Sequence, residues 1–111
     1  MKIIGLILAG ALLFSSASLI AGSHLESALE HANAAVKEGQ AGKLPNLVIH
    51  AKAALDHSLA ASVVAKSVSK THIDAASESL QNAIDHGNLN HVEPATSSAQ
   101  EAVKHLEAAK K

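Results

Sequence analysis

The sequence predicts an all-α protein, an antiparallel four-helix bundle built from two duplicated helical hairpins. From residue 23 onward the chain is rich in Ala, Leu, Glu, Lys and Ser, a composition that favours helices. Apolar residues recur at the spacing of one helix face in four successive segments. Residues 24–61 also align with residues 72–109 at a constant offset of 48, without gaps, which indicates a duplicated hairpin.

The first 22 residues have the pattern of a secretory signal peptide. Met1-Lys2 is a short positive start, and residues 3–20 are an apolar run broken by small residues. Cleavage is expected after Ala21 or Gly22, which would leave residues 23–111 as one exported domain. An uncleaved membrane anchor is the alternative interpretation, because the apolar run is just long enough to span a bilayer.

Each predicted helix carries one apolar face. When the heptad register places every histidine at position g, positions a, d and e are apolar or small throughout. Many of them are alanine, so we expect close helix packing, little buried apolar area per residue and modest stability. The predicted core residues are Leu25, Ala28, Leu29, Ala32, Ala35, Val36, Leu44, Leu47, Val48, Ala51, Ala54, Leu55, Ile73, Ala76, Ser77, Leu80, Ala83, Ile84, Val92, Ala95, Thr96, Ala99, Ala102, Val103 and Leu106.

Capping and turn residues predict the helix ends of the first hairpin. Ser23 is a suitable N-cap for the first helix. Gly39 and Gly42 flank a short turn, and Pro45 fits the first turn of the second helix. Residues 67–71 are polar and β-branched, and are predicted to connect the two hairpins.

Similar residues mark the second hairpin. Thr71 is a suitable N-cap for the third helix, with Asp74 in the position of a capping box. Residues 87–88 (Gly-Asn) are predicted to end that helix, and Asn90 to cap the fourth. Pro94 is tolerated only in the first turn of the fourth helix.

The composition excludes several classes of function. The absence of cysteine excludes disulfides, thiolate metal sites and cysteine nucleophiles. A formal net charge of −1 leaves no basic patch for nucleic acid. No enzyme is expected, because there is no Glu-x-x-His pair for a di-iron centre and no serine in a nucleophile elbow. The exported domain should be a monomer with no nucleic-acid partner and, once the signal peptide is cleaved, no membrane partner.

The eight histidines are the main indication of function. They are seven apart within each of the first two predicted helices and fourteen apart within each of the last two, which returns every one to a single stripe of its helix. Histidine is the commonest metal ligand. Two histidines seven apart on one helix are separated by a rise of about 10.5 Å, too far for one metal ion. The candidate ligands are His24, His31, His50, His57, His72, His86, His91 and His105.

An antiparallel hairpin would bring these histidines together in pairs. Residues whose numbers have a constant sum lie at one height of the hairpin, so the g positions face each other in six pairs. Four pairs are His–His and include every histidine, while one is a predicted salt bridge and one a hydroxyl pair. The six are His24/His57, His31/His50, Glu38/Lys43, His72/His105, Ser79/Ser98 and His86/His91.

Two facing imidazoles supply half of a transition-metal coordination shell. Imidazole suits Cu(II), Ni(II), Zn(II) and Co(II), and the usual order makes Cu(II) the tightest. Glu101, four residues before His105 on the same face, is the carboxylate predicted to assist a metal there. Such open shells should bind several metals at moderate affinity. The sequence leaves open whether the two histidine stripes pack side by side, as four-histidine sites, or apart.

A helical chain with a signal peptide, no cysteine and histidine every seven residues resembles the small metal-binding protein family (SmbP). The resemblance implies a periplasmic four-helix bundle that binds several divalent metals, copper foremost, for sequestration or buffering. Members tend to carry histidine at more heptad positions, so this chain should have a lower capacity. The strings that carry the resemblance are His-Ala at 31–32, His-Ala-Lys at 50–52, Thr-His at 71–72, Ala-Ile-Asp-His-Gly at 83–87 and Ala-Gln-Glu-Ala-Val-Lys-His-Leu at 99–106.

The sequence therefore predicts a periplasmic metal buffer or scavenger that binds Cu(II), Ni(II), Zn(II) and Co(II) through histidine pairs. Metal binds neutral imidazole, so binding should weaken below about pH 6.5. The alternative is a helical interaction or stress-protection module with a pH-sensitive histidine face. His-to-Gln changes separate the two hypotheses, since they abolish metal uptake under the first and can leave partner binding intact under the second.

Overall fold

The computed structural model describes residues 16–111, which form four consecutive helices. They are α1 (Ser16–Gln40), α2 (Leu44–Val64), α3 (Ser67–Asn88) and α4 (Val92–Ala109). Short connections make neighbouring helices antiparallel, and α1 and α3 each pack against both α2 and α4. The predicted all-α four-helix bundle is therefore confirmed.

The start of α1 differs from the expectation. Most of the predicted signal peptide lies outside the described residues, but α1 begins at Ser16 and continues through Ser23 without a break. Ser23 is therefore not an N-cap in this chain. The preceding residues supply the carbonyl groups that the backbone N–H groups near Ser23 need, so no side-chain cap is required.

The core is rich in alanine, as predicted. Alanine accounts for more than half of the buried hydrophobic residues, and the largest fully buried side chains include Leu47, Ile73, Leu80 and Leu106. Val92 was predicted to lie in the core but is 38% exposed, because it is the first residue of α4 at the end of the bundle. Such small side chains allow close helix approach but bury little area, which limits stability.

The connection within each hairpin is a short turn that contains a residue in the left-handed backbone conformation. Gly42 has φ +75° between α1 and α2, and Pro45 lies in the first turn of α2 as predicted. α3 ends at Asn88, and Pro94 falls in the first turn of α4, also as predicted. Asn90 has φ 63° and reverses the chain, so the N-cap of α4 is His91 rather than Asn90.

The connection between the hairpins is shorter than predicted. α2 ends at Val64 and α3 begins at Ser67, so residues 67–71 are helical. Thr71 is not a cap, because its hydroxyl donates to the carbonyl of Ser67 one turn earlier in α3. Tertiary contacts outweigh the weak helix propensity of these residues: Ser69 Oγ donates to the carbonyl oxygen of Ala109 (3.1 Å), which ties the start of α3 to the end of α4.

Asp74 joins α3 to α2 instead of completing a capping box. It accepts hydrogen bonds from Ser62 Oγ (2.5 Å) and Lys70 Nζ (2.8 Å). These two hydrogen bonds, with the positive charge of Lys70, hold the pKa of Asp74 below its ordinary value of 3.8, although desolvation opposes the shift. The cluster therefore favours the ionised carboxylate at neutral pH.

Gly39 and Gly87 bring the two hairpins into close contact. Each lies in the last turn of its helix and is buried. A β-carbon on Gly39 would overlap the side chain of Thr96, and one on Gly87 would lie 2.5 Å from Cγ2 of Val48. Thr96 and Val48 are themselves 48 positions apart, so equivalent positions of the two hairpins make matching contacts. The matching contacts are consistent with the predicted duplication.

One helix of the described residues, α2, has the length and composition of a membrane-crossing segment. Its buried residues Leu44, Leu47, Val48 and Ala51 belong to the bundle core. An apolar core helix can pass the same test, but only 33% of this segment is buried, and Ile49, Leu59 and Val63 of α2 are exposed.

Candidate metal centre

The structure places the two histidine pairs of the first hairpin at hydrogen-bonding distance. Nδ1 of His24 lies 3.0 Å from Nδ1 of His57, and Nδ1 of His31 lies 3.2 Å from Nδ1 of His50. All four side chains are half-buried, because position g borders the apolar face of its helix. The packed helices α1 and α2 thus fix the spacing between the rings.

The two pairs of the second hairpin are also brought together. Nδ1 of His86 lies 3.3 Å from Nδ1 of His91, and the ring centroids of His72 and His105 are 6.0 Å apart. The turn itself holds the first of these pairs, since the backbone N–H of His91 donates to the carbonyl oxygen of His86 (2.9 Å). Every predicted His–His pair therefore occurs in the structure.

A short Nδ1–Nδ1 contact is a hydrogen bond in which one ring donates its N–H and the other accepts through a lone pair. For both Nδ1 atoms to bind one metal ion, the donor ring must give up its Nδ1 hydrogen, which moves to Nε2 of the same ring or, from an imidazolium, to solvent. Acid, which protonates both rings, would make the two rings repel each other.

The nitrogen separations fit a single metal ion between two imidazoles. With metal–nitrogen bonds of about 2.0–2.1 Å, two ligand nitrogens are about 2.9 Å apart at a right angle and about 3.3 Å apart at the tetrahedral angle. The three observed Nδ1–Nδ1 separations, 3.0, 3.2 and 3.3 Å, lie in this interval. Small ring rotations are enough to turn both lone pairs towards one ion.

Each pair is half of a coordination shell rather than a complete site. Among residues 16–111, no group of three or more His, Asp or Glu side chains is arranged to hold one metal ion. Each imidazole contact found in this region joins two histidines of the same hairpin, and none joins the two hairpins. The two stripes follow the α1–α2 and α3–α4 contacts on opposite sides of the bundle, so four-histidine sites between hairpins are not formed.

Glu101, the carboxylate predicted to assist a metal ion at His105, is hydrogen-bonded to a buried serine of α3. Its Oε1 accepts a hydrogen bond from Ser79 Oγ (2.9 Å), and Ser79 is only 3% exposed. The predicted Ser79/Ser98 hydroxyl pair is therefore wrong, because an ionised carboxylate is a stronger acceptor than a second hydroxyl. Glu101 remains one turn of α4 from His105.

The predicted salt bridge between Glu38 and Lys43 is also wrong. Glu38 Oε1 accepts from Asn46 Nδ2 (2.9 Å), and Lys43 meets Glu38 through its backbone N–H, which donates to the Glu38 carbonyl oxygen (2.8 Å). The turn fixes the backbone of Lys43, and its side chain is exposed. The turn end of the first hairpin thus carries no histidine and no ion pair between these two residues.

One histidine contact was missed by the sequence analysis. The rings of His31 and His57 belong to neighbouring pairs, yet they stack with centroids 5.9 Å apart and planes 6° apart. Counting residues at one height finds only pairs that face each other directly. The sequence feature that could have revealed the contact is that only the first hairpin has histidine pairs at two consecutive heights.

A comparison with known protein families agrees with metal binding. A family model described as "Small metal-binding protein" matches residues 1–109, nearly the whole chain. No curated protein matches the sequence. The family match indicates metal binding, and the histidine geometry described above is consistent with it.

Proposed function

The chain belongs to the small metal-binding protein family, and from that premise we propose that it sequesters divalent transition metals at its four histidine pairs. Cu(II) is the favoured ion, with Ni(II), Zn(II) and Co(II) bound more weakly, since imidazole ligands follow the usual order of affinities. The observation that carries the proposal is the set of Nδ1–Nδ1 separations of 3.0, 3.2 and 3.3 Å. The metal is cargo, and the protein is proposed to be a non-enzymatic monomer.

The residues of each pair perform two tasks. They present two nitrogen lone pairs at a separation set by helix packing, so little conformational freedom is lost when an ion arrives. Metal ions and protons compete for the same ring nitrogens, which makes uptake depend on pH. Water completes the shell at most pairs, and Glu101 is the carboxylate proposed to reach the His72/His105 pair. Incomplete shells give moderate affinity and fast exchange, which suits a buffer.

The proposed place of action is the periplasm. The support is the N-terminal pattern of a short positive start followed by an apolar run, which is typical of an exported protein. The cysteine-free composition fits an oxidising compartment, because no thiol is available to form unwanted disulfides. The proposed role is capture and buffering of metal ions after export.

Isothermal titration tests the function directly. The tag-free domain of residues 23–111 is titrated at pH 7.5 with Cu(II), Ni(II) and Zn(II), beside a variant in which all eight histidines are changed to glutamine. A matched control changes four exposed carboxylates outside the pairs, Glu26, Glu30, Asp56 and Glu78, to their amides. We expect one to four Cu(II) ions per chain in the domain and in the carboxylate control, and none in the histidine variant.

Acidification provides the second part of the test. Lowering the pH from 7.5 to 5 protonates imidazole and should release the bound copper. Equal weak binding by the domain and the histidine variant, or copper retention at pH 5, would contradict the proposal.

A further inference from the structure

The histidines of the first hairpin form a continuous row, which we call the α1–α2 row. Its members, in order, are His24, His57, His31 and His50. Successive ring centroids are 5.2 Å, 5.9 Å and 5.5 Å apart, so His57 and His31 each contact two neighbours. The row therefore contains three imidazole contacts rather than two separate pairs.

The second hairpin has the same backbone arrangement but no such row. Serine replaces histidine at the middle height, where Ser79 and Ser98 are the equivalents of His31 and His50. Ser79 is buried and bound to Glu101, so nothing continues the contact from His105 towards the turn. His72/His105 and His86/His91 are consequently separate pairs at the two ends of the α3–α4 hairpin.

All three contacts of the row are short enough for one metal ion to be held by both rings. With a metal–nitrogen bond of about 2.0–2.1 Å and the ring centre slightly more than 1 Å beyond, the centroids of two imidazoles on one ion are at most about 6.3 Å apart. The central His31–His57 separation of 5.9 Å meets this limit, as do the outer two. The His31 and His57 planes are only 6° apart and stacked, so one ring must rotate before both lone pairs point at one ion. His57 and His31 can therefore each take part in either of two sites.

We propose that the α1–α2 row is one shared site with three overlapping histidine pairs, which holds two ions at its outer pairs or a single ion at its central pair. An ion passes along the row by exchanging one imidazole at a time, and it stays bound to at least one ring during each exchange. The α3–α4 pairs hold their ions separately. This inference rests on the proposed function. It adds that ions move along the α1–α2 row, whereas each α3–α4 pair holds its ion in place.

The test isolates the row in the full domain of residues 23–111. A background variant changes His72, His86, His91 and His105 to glutamine. To it we add either His24→Gln with His50→Gln, which leaves the central pair, or His31→Gln with His57→Gln, which leaves only the two ends. Each double change removes two histidines, one from each helix, so the second is a matched control for the first. Cu(II) stoichiometry is measured by titration at pH 7.5.

Overlapping pairs predict two copper ions in the background variant, one in the variant that keeps the central pair and none in the matched control. Independent pairs predict none in both double variants, because neither keeps an original pair. That result, or equal copper binding by the two double variants, overturns the shared site and leaves the proposed function intact. A background variant that binds no copper contradicts metal binding by this hairpin altogether.

Far-ultraviolet circular dichroism checks that each variant remains helical. If either glutamine variant loses its fold, the same comparison is made with alanine at the same positions, since alanine has the highest helix propensity. The central-pair variant must again bind one ion and its control none.

Discussion

A histidine at heptad position g lies between the apolar core and the histidine that faces it from the neighbouring helix. One side of the ring borders the apolar core, and the other faces a partner histidine, so seven of the eight side chains are half-buried. His91 is exposed because it lies in the turn before α4. Packing against the core restricts the ring and holds it near its partner, which suits the proposed role as a metal ligand.

The residue whose role depends most on its neighbour is Glu101. We predict that Glu101→Gln weakens Cu(II) binding at the His72/His105 pair, because an amide oxygen is a poorer ligand than a carboxylate. Ser79→Ala should leave this binding unchanged or tighten it, since it frees the Glu101 carboxylate from its 2.9 Å hydrogen bond. Titration of both variants, with the other six histidines changed to glutamine, makes the measurement. Unchanged affinity in Glu101→Gln would exclude Glu101 as a ligand.

At the scale of the helices, residues that the sequence pattern indicates as turn or cap residues hold the two hairpins together. Gly39 is the clearest case, because it lies within α1 and faces Thr96 of α4. Asp74 is another, because it joins α3 to Ser62 of α2 rather than capping α3. These contacts set how the hairpins pack and thereby keep their histidine stripes on separate sides of the bundle.

We expect Gly39→Ala to destabilise the bundle. The new methyl group would overlap the Thr96 side chain, and overpacking costs about 1–3 kcal/mol. Higher helix propensity offsets about 1 kcal/mol of that loss, so the net fall in unfolding free energy should be of order 1 kcal/mol. Urea denaturation followed by circular dichroism measures it. Repeating the change in a Thr96→Ala background should reduce the loss, and an equal loss in both backgrounds would refute the steric explanation.

The Asp74 cluster should make a small, pH-dependent contribution to stability. Its pKa is lower in the folded state than in the unfolded chain, so the stabilisation is present above the ordinary pKa near 3.8 and disappears as pH falls through the folded value. Because both side chains of the ion pair are about half exposed, Asp74→Asn should lower the unfolding free energy by no more than about 1 kcal/mol at pH 7.

Urea denaturation of Asp74→Asn at pH 7 and at pH 3 measures this contribution. The difference from the unmodified domain should shrink at pH 3, and at high salt it should also be smaller. Asp56→Asn, at an exposed carboxylate of α2, is the control and should have little effect. A loss of stability that is the same at both pH values would show that ionisation of Asp74 is not its cause.

At the scale of the whole molecule, the alanine-rich core and the two separate histidine stripes bear together on stability. Alanine-rich packing brings the helices close but buries little apolar surface, so the apo protein should be only modestly stable. Under the proposed function, ions that bridge α1 to α2, or α3 to α4, bind the folded state in preference to the unfolded chain and add stability by mass action. Metal loading and folding are then linked across each hairpin.

Copper should therefore raise the melting temperature at pH 7.5. One site with free Cu(II) at a hundred times its dissociation constant contributes about 2.7 kcal/mol, which corresponds to about 10–20 °C in a domain of this size. The increase should vanish at pH 5 and in the variant with all eight histidines changed to glutamine. Scanning calorimetry with and without Cu(II) makes the comparison, and no increase at pH 7.5 would show that binding is not coupled to the fold.

The sequence by itself determined the fold class, the apolar face of each helix and the four histidine pairs. A period of 3.6 residues and a duplicated hairpin leave few other ways to place His24 opposite His57 or His86 opposite His91. These features are local or repeat along the chain. They depend on spacing, which the order of residues records directly.

Only the tertiary structure decided which residues at different heights of neighbouring helices contact each other. In the structure His31 stacks on His57, and the Glu101 carboxylate accepts a hydrogen bond from Ser79. The connection between the hairpins is residues 65–66, and the two histidine stripes lie on separate sides of the bundle. Each of these outcomes depends on the distance and rotation between helices. Those are set by side-chain packing at positions such as Gly39 and Thr96, and local helix periodicity does not contain that information.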